Sequence, residues 1–270
     1  MATAGLACTG PGCLKTLFAQ GTQMTQRKLR LGAFLMATGH HIAAWRHPGS
    51  EADAGINIDH YIALAKTAER GLFDQVFVAD SPGIKHTGDE ESFSRQGRMS
   101  HFEPVTLWAA LSAVTQHIGF VATASTTYED PFLLARKFAS LDHLSKGRAA
   151  WNVVTTSADS VHGNFGLAAH PDPAVRYERA HEFVEVVKGL WDSFDDDALV
   201  RDRASGVYFD PQKLHKLNHV GKHLKVEGPL NIERPPQGYP VIVQAGSSED
   251  GKELAAATAE AIFTAWTSLA

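Results

Sequence analysis

The sequence predicts an α/β fold built on a parallel sheet, and two observations carry that prediction. From Leu29 onward, short apolar stretches alternate with longer segments whose apolar residues recur every three or four positions, which is the alternation of strand and helix. Helix boundaries are also punctuated as expected, with Pro104 and Pro131 at two starts and Gly71 at one stop. In chain order, residues 31–36 read as the first strand and 58–70 as a helix capped by Gly71. Residues 75–79 are the second strand, 104–114 a helix, 119–123 the third strand, 131–144 a helix and 148–154 the fourth strand. The next helix, 174–191, gathers Ala180, Phe183, Val184, Val187 and Leu190 on one face. Residues 195–239 break the rhythm, with His215, His219, His223 and the adjacent Pro235 and Pro236. It resumes with a fifth strand at 240–244, a helix at 250–258 and a sixth strand at 261–265. Six strands in this order fit either an open doubly wound sheet or three quarters of an eightfold barrel, and the pattern leaves both open. An unpaired strand edge exposes a row of backbone donors and acceptors, so ending just after a sixth strand suggests that part of the sheet is missing.

Composition narrows the function classes. The chain has 270 residues, 44% of them hydrophobic, which is enough to bury a large core. A formal charge of -5, a pI near 6.3 and the lack of a basic cluster interleaved with aromatics argue against nucleic acid as a partner. No apolar run approaches the roughly 18–20 residues needed to cross a bilayer, so a soluble protein of the cytoplasm is expected. Residues 1–23 are rich in Gly, Ala and Thr and hold both cysteines, Cys8 and Cys13. They read as an atypical, disordered extension before a domain spanning 24–270, with 195–239 as an insertion. No second Cys/His pair stands at ligand spacing, and no metal site is expected.

In either architecture chemistry gathers just past the C-terminal ends of the strands, and there the sequence is rich in hydroxyls. Thr38, His40 and His41 follow the first strand, Asp80 and Ser81 the second, Ser125 to Tyr128 the third, and Thr155 to Ser157 the fourth. Paired carboxylates and a Ser/His/Asp order with its glycine elbow are absent, which disfavours hydrolysis. Such a rim suits a ligand that brings its own reactivity. The fifth strand runs into Gln244-Ala-Gly-Ser-Ser248 and then into a helix, a turn whose backbone N–H groups and two hydroxyls could hold a phosphate.

The motifs Phe77-Val-Ala-Asp80, Phe120-Val-Ala-Thr-Ala-Ser-Thr126, Trp151-Asn-Val-Val-Thr-Thr156, Asn164-Phe-Gly166, Arg176-Tyr-Glu-Arg-Ala180 and Gln244-Ala-Gly-Ser-Ser248 occur in that order. Over about residues 29–264 the chain resembles the bacterial luciferase-like flavin monooxygenases, and within them the nitrilotriacetate monooxygenase group. The resemblance implies an α/β TIM-type (β/α)8 barrel, truncated here after about six strands. It implies reduced FMN as co-substrate, supplied by a separate NAD(P)H:flavin reductase, with dioxygen giving one oxygen atom to a small organic substrate. It also implies a homo-oligomer. Carried over by position, Asp80, Thr123, Ser125 and Thr126 lie near the flavin ring, Asn152 is a flavin-contacting amide, and Tyr177, Ser247 and Ser248 hold the phosphate. Thr156 falls where some relatives have a His thought to be catalytic, so no catalytic residue is assigned. Phe34, Trp151 and Phe165 are expected in the core. The chain departs from the family in its first 23 residues and in ending shortly after Ala265-Trp266. A catalytically inactive truncated barrel that at most binds flavin is therefore the alternative reading, and a deazaflavin-using relative is disfavoured by the motifs.

Overall fold

The structure, a computed structural model, describes residues 29–84 and 89–265. The extension expected at 1–23, both cysteines and Trp266 lie outside the described residues. The chain divides into two units, Met1–Arg30 and Leu31–Ala270. Of the first, Leu29 and Arg30 are described and exposed; the second carries everything below. Its elements run β1 (Gly32–Phe34), α1 (Ile58–Arg70), β2 (Gln75–Val78), α2 (Glu90–Ser94), α3 (Pro104–Ser112), β3 (Gly119–Ser125), α4 (Pro131–Ser145) and β4 (Ala149–Val154). There follow α5 (Pro173–Trp191), β5 (His219–Val220), β6 (Lys225–Val226), β7 (Val241–Gln244), α6 (Glu249–Thr258) and β8 (Ala261–Ile262).

Local chemistry sets the helix ends. Asn57, Glu103, Asp130 and Ser248 each accept a backbone N–H of the first turn that would otherwise lack a partner. Proline stands in the first turn of α3, α4 and α5, where its missing N–H costs nothing. Helix α4 ends where Lys146 and Gly147 take left-handed φ values of 58° and 81°.

Six strands form one parallel sheet in the order β1-β2-β3-β4-β7-β8. A doubly wound sheet reverses its strand order at a switch point; this order never reverses, so right-handed crossovers put the helices α1, α3, α4, α5 and α6 on one face. That face holds the main core, in which Trp108, Phe120, Phe138, Trp151, Phe183 and Trp191 are fully buried. The indole N–H groups of Trp108, Trp151 and Trp191 donate to the carbonyls of Val121, Ala124 and Ala135 at 2.9, 3.1 and 2.9 Å, which ties the apolar packing to fixed backbone positions.

The other face carries a smaller cluster of Phe77, Val121, Ala150 and Val243, joined by Phe34 and Ala261. Phe263, just past β8, lies 5.3 Å from the Phe34 ring and 5.4 Å from that of Phe77. In a flat sheet β1 and β8 would stand five spacings, about 24 Å, apart. The sheet therefore curls, and the fold is part of a TIM-type barrel with its small cluster inside.

Several boundaries differ from expectation. The first strand is Gly32–Phe34 rather than 31–36, because the Leu35 N–H makes the last rung to the Phe77 carbonyl and the chain then turns, Gly39 bonding back to Met36. The sixth strand is Ala261–Ile262 rather than 261–265, its last rung being Phe263 to Gln244. Residues 195–239 contain the antiparallel pair β5–β6; Val226 of β6 and Leu224 in the connecting turn pack against the main core. Helix α2 was not anticipated. Among the described residues no helix is long and apolar enough to cross a membrane.

Candidate functional site

Strand alternation points every second residue of β3 and β4 into the barrel. Above the apolar layer at Val121 and Ala150 come Thr123 and Asn152, which are register partners. The Thr123 hydroxyl donates to the Val78 carbonyl at 2.8 Å and accepts from Asn152 Nδ2 at 3.0 Å. Asn152 is only 2% exposed, and its Oδ1 has no partner among the described residues. A buried amide oxygen left bare costs about 1–3 kcal/mol, so this atom is poised for a donor that a ligand would bring.

Two cavities open at the strand ends, of about 420 and 480 Å³, and both are lined by Asp80, Ser81 and Val154. Volumes of this size are in the range of small-molecule and cofactor sites. The first is lined further by His101, Thr123, Ser125, Tyr128 and Phe165. His101 Nε2 lies 2.9 Å from Asp80 Oδ1. That hydrogen bond raises the imidazole pKa above its ordinary value, against the opposing pull of burial. Opposite, Tyr128 stacks on Phe165 with ring centres 4.6 Å apart and its hydroxyl meets His170 Nδ1 at 2.6 Å. Burial pushes the Tyr128 pKa up.

The second cavity is lined by Thr155, Thr156, Tyr177 and the turn from Gln244 to Ser248. Ser248 caps α6: its Oγ accepts the Gly251 N–H at 3.2 Å and lies 3.3 Å from the Tyr177 hydroxyl. The turn admits only glycine at two positions. A Cβ on Gly246 would sit 2.9 Å from the Cα of Gly251, and one on Gly251 would sit 3.0 Å from the Tyr177 hydroxyl. Those two hydrogens keep open the space between turn and tyrosine. The first turn of α6 also carries exposed Glu249 and Asp250, with Glu249 paired to Lys252 at 2.7 Å. Neutral donors, rather than lysines or arginines, line this cavity.

The residues singled out in the sequence thus fall into separate groups. Asp80, Thr123 and Ser125 line the first cavity; Thr156, Tyr177, Ser247 and Ser248 line the second. Asn152 lies below both. Thr126 is fully buried and lines neither, its hydroxyl donating to the Val154 carbonyl at 3.3 Å. Thr156 donates its hydroxyl to Ser125 Oγ at 2.8 Å. His40 and His41 line neither cavity; His40 bonds the Phe34 carbonyl and His41 accepts from Ala43. Trp151 is in the core as expected, and Phe34 joins the interior cluster. Phe165 is not in the core: it is 42% exposed, because it ends the 3-10 helix Asp159–Phe165 and stacks on Tyr128 at the cavity wall. Sequence reading placed Tyr128 in the polar rim but assigned no role to His101 at the first cavity, to His170 bonded to Tyr128, or to Arg176 and Arg179 on α5. The arginines did carry a signal, flanking Tyr177 in the quoted Arg176-Tyr-Glu-Arg-Ala180 motif. No cluster of three metal-ligating side chains occurs among the described residues.

Comparison with known proteins places this architecture. The family described as luciferase-like monooxygenase matches residues 33–270. The N-acetyl-S-(2-succino)cysteine monooxygenase of Bacillus subtilis (strain 168) is 56% identical over 244 residues, 90% of this chain and 54% of that protein. Nitrilotriacetate monooxygenase component A of Aminobacter aminovorans is 48% identical over 250 residues, 90% of this chain and 55% of that protein. Among solved structures, a riboflavin lyase crystallised with modified FMN and riboflavin superposes with a TM-score of 0.82 at 36% identity, covering 90% of this chain and 55% of that one. The chain spans about half the length of the curated relatives it matches.

Proposed function

The chain belongs to the luciferase-like monooxygenase family, and from that premise we propose that it binds reduced FMN in the joined cavities and uses dioxygen to put one oxygen atom into a small organic substrate. A separate NAD(P)H:flavin reductase would supply the reduced flavin in the cytoplasm. The observation that carries the reading is the contact between the Tyr177 and Ser248 hydroxyls across a glycine-lined turn, in a cavity that shares Asp80 with its neighbour. One end suits a phosphate and the other a flat, polar-edged ring. The bare Asn152 Oδ1 supports the same fit, since a flavin ring carries N–H groups.

Bound reduced flavin supplies the electrons that activate dioxygen. The chain's own residues do the rest of the work. Ser247, Ser248 and Tyr177 hold the phosphate through neutral hydrogen bonds to a charged acceptor. Asn152, bonded to Thr123, would offer its bare Oδ1 to a ring N–H, and Asp80, held by His101, would meet the ligand in the wall that the two cavities share. The stacked Tyr128 and Phe165 give the first cavity an aromatic wall against which an organic substrate can lie.

The test is an anaerobic titration of the protein with reduced FMN, followed by reductase-coupled oxygen consumption over a panel of substrates. Saturable flavin binding is expected, and its absence would sink the proposal. Replacing Ser247 and Ser248 together with Ala should weaken FMN by about 1–3 kcal/mol. The single change Ser248→Ala should also lower stability, by about 1 kcal/mol, because this serine caps α6.

A further inference from the structure

Arg176, in the first turns of α5, is 8% exposed and spends its guanidinium mainly on backbone carbonyls, with one longer bond from Nη1 to the Thr155 hydroxyl at 3.4 Å. Its Nε donates to the Pro171 carbonyl at 3.0 Å. Its Nη1 reaches two successive carbonyls at the end of β4, those of Thr155 at 3.1 Å and Thr156 at 2.7 Å. No carboxylate pairs with it among the described residues, although a buried cation without a counter-charge is costly.

The peptide group gives this arrangement a direction. In a planar trans peptide the C=O of one residue and the N–H of the next point opposite ways. With the Thr155 and Thr156 carbonyls both aimed at one Nη1, the N–H groups of Thr156 and Ser157 point away from Arg176. Residues 155–158 line the second cavity and Arg176 does not, so away from Arg176 is toward that cavity. Neither N–H has a hydrogen-bond partner among the described residues. Thr156 holds φ at 52°, a left-handed conformation unfavourable for a β-branched residue. Successive N–H groups turned inward by such a residue form an anion-binding concavity, and this one faces Tyr177, Ser247 and Ser248 across the cavity.

Resting on the FMN reading above, we propose that Arg176 is a positioning residue for the phosphate. It never touches the ligand; it grips two carbonyls from behind, so that the Thr156 and Ser157 N–H groups are presented to the phosphate oxygens. Its own charge, set behind those peptides, adds a favourable field for an anion.

Riboflavin, which has the ring but no phosphate, separates this role from general support of the fold. Wild-type protein should prefer reduced FMN over reduced riboflavin in anaerobic calorimetry, and its Thr156 and Ser157 amide signals should shift with FMN and stay put with riboflavin. In Arg176→Gln the preference should fall about tenfold or more, the scale of one lost hydrogen bond to a charged group, with riboflavin affinity unchanged. Arg176→Lys should recover part of it. An unchanged preference in Arg176→Gln, or equal loss of both ligands, overturns the proposal. Should the Gln variant not fold, the Lys variant and the wild-type amide shifts decide, and amides indifferent to FMN overturn it. A wild-type protein that binds neither flavin, or both equally, removes the FMN-phosphate reading itself and this proposal with it.

Discussion

Asn152 brings an amide into the barrel interior and uses half of it. Its Nδ2 is bonded to Thr123, while its buried Oδ1 has no partner among the described residues. A residue kept for the fold would satisfy both ends, whereas one kept for a ligand leaves an end bare. Replacing it with leucine, of similar size, removes the bare acceptor and leaves the Thr123 hydroxyl bonded to Val78. The ligand-free variant should therefore melt no lower than the wild type, with a gain of up to the cost of a bare buried acceptor, about 1–3 kcal/mol. Its flavin affinity should fall by about tenfold or more. A variant that unfolds early yet binds flavin normally would make Asn152 a structural amide. In the sequence Asn152 was singled out through family resemblance; the structure adds that it lies on a regular strand as the register partner of Thr123. Phe165 was misread for a physical reason: outside a periodic element its apolar character says "buried" but not against what, and here it covers Tyr128 rather than the core.

Helix α5 joins the site to the excursion at 195–239. Its first turns carry Arg176, Tyr177 and Arg179, and Arg179 Nε reaches the Thr126 carbonyl at 3.0 Å. Further along, Glu182 accepts His219 Nε2 and the N–H groups of His223 and Leu224, each at 2.9 Å, which fastens the β5–β6 hairpin to the helix. Burial alone would raise the Glu182 pKa, but these three hydrogen bonds outweigh it and hold the carboxyl below the ordinary glutamate value. A lowered folded-state pKa means that the contribution to stability is present above the unfolded value and lost as pH falls through the folded one. Glu182→Gln should accordingly melt lower than the wild type at neutral pH, with the gap closing as the pH drops below the ordinary glutamate range. A gap independent of pH would show that packing, not charge, is what Glu182 provides. At this scale the sequence was read well where proline, glycine or a capping side chain marked the ends, as in α1, α4 and α5. It was silent on α2 and on β5 and β6, which run for five, two and two residues and hold too little periodicity to register.

Curvature is a property of the whole sheet, and strand and helix periodicity does not encode it: the same six alternating units serve an open sheet or a barrel. Family resemblance chose between them, and the interior rings show physically why the choice falls as it does. Phe34, Phe77 and Phe263 meet at 4.9–5.4 Å although they come from β1, β2 and the far end of the sheet. This packing has a consequence for the site above it. Asp80 follows β2 and the Gly246–Ser248 turn follows β7, strands three spacings apart in the sheet order, about 14 Å if flat; they line one cavity because the sheet curls. Phe77, at 6% exposure, is the most buried of the three rings. Phe77→Ala should cost about 3–5 kcal/mol, seen as a fall in Tm of roughly 10 °C. Flavin affinity should fall with it, although Phe77 lines neither cavity. The outcome that would break the link is a large fall in Tm with flavin affinity intact, since the two halves of the cavity would then be held together by something other than the curl that these rings close.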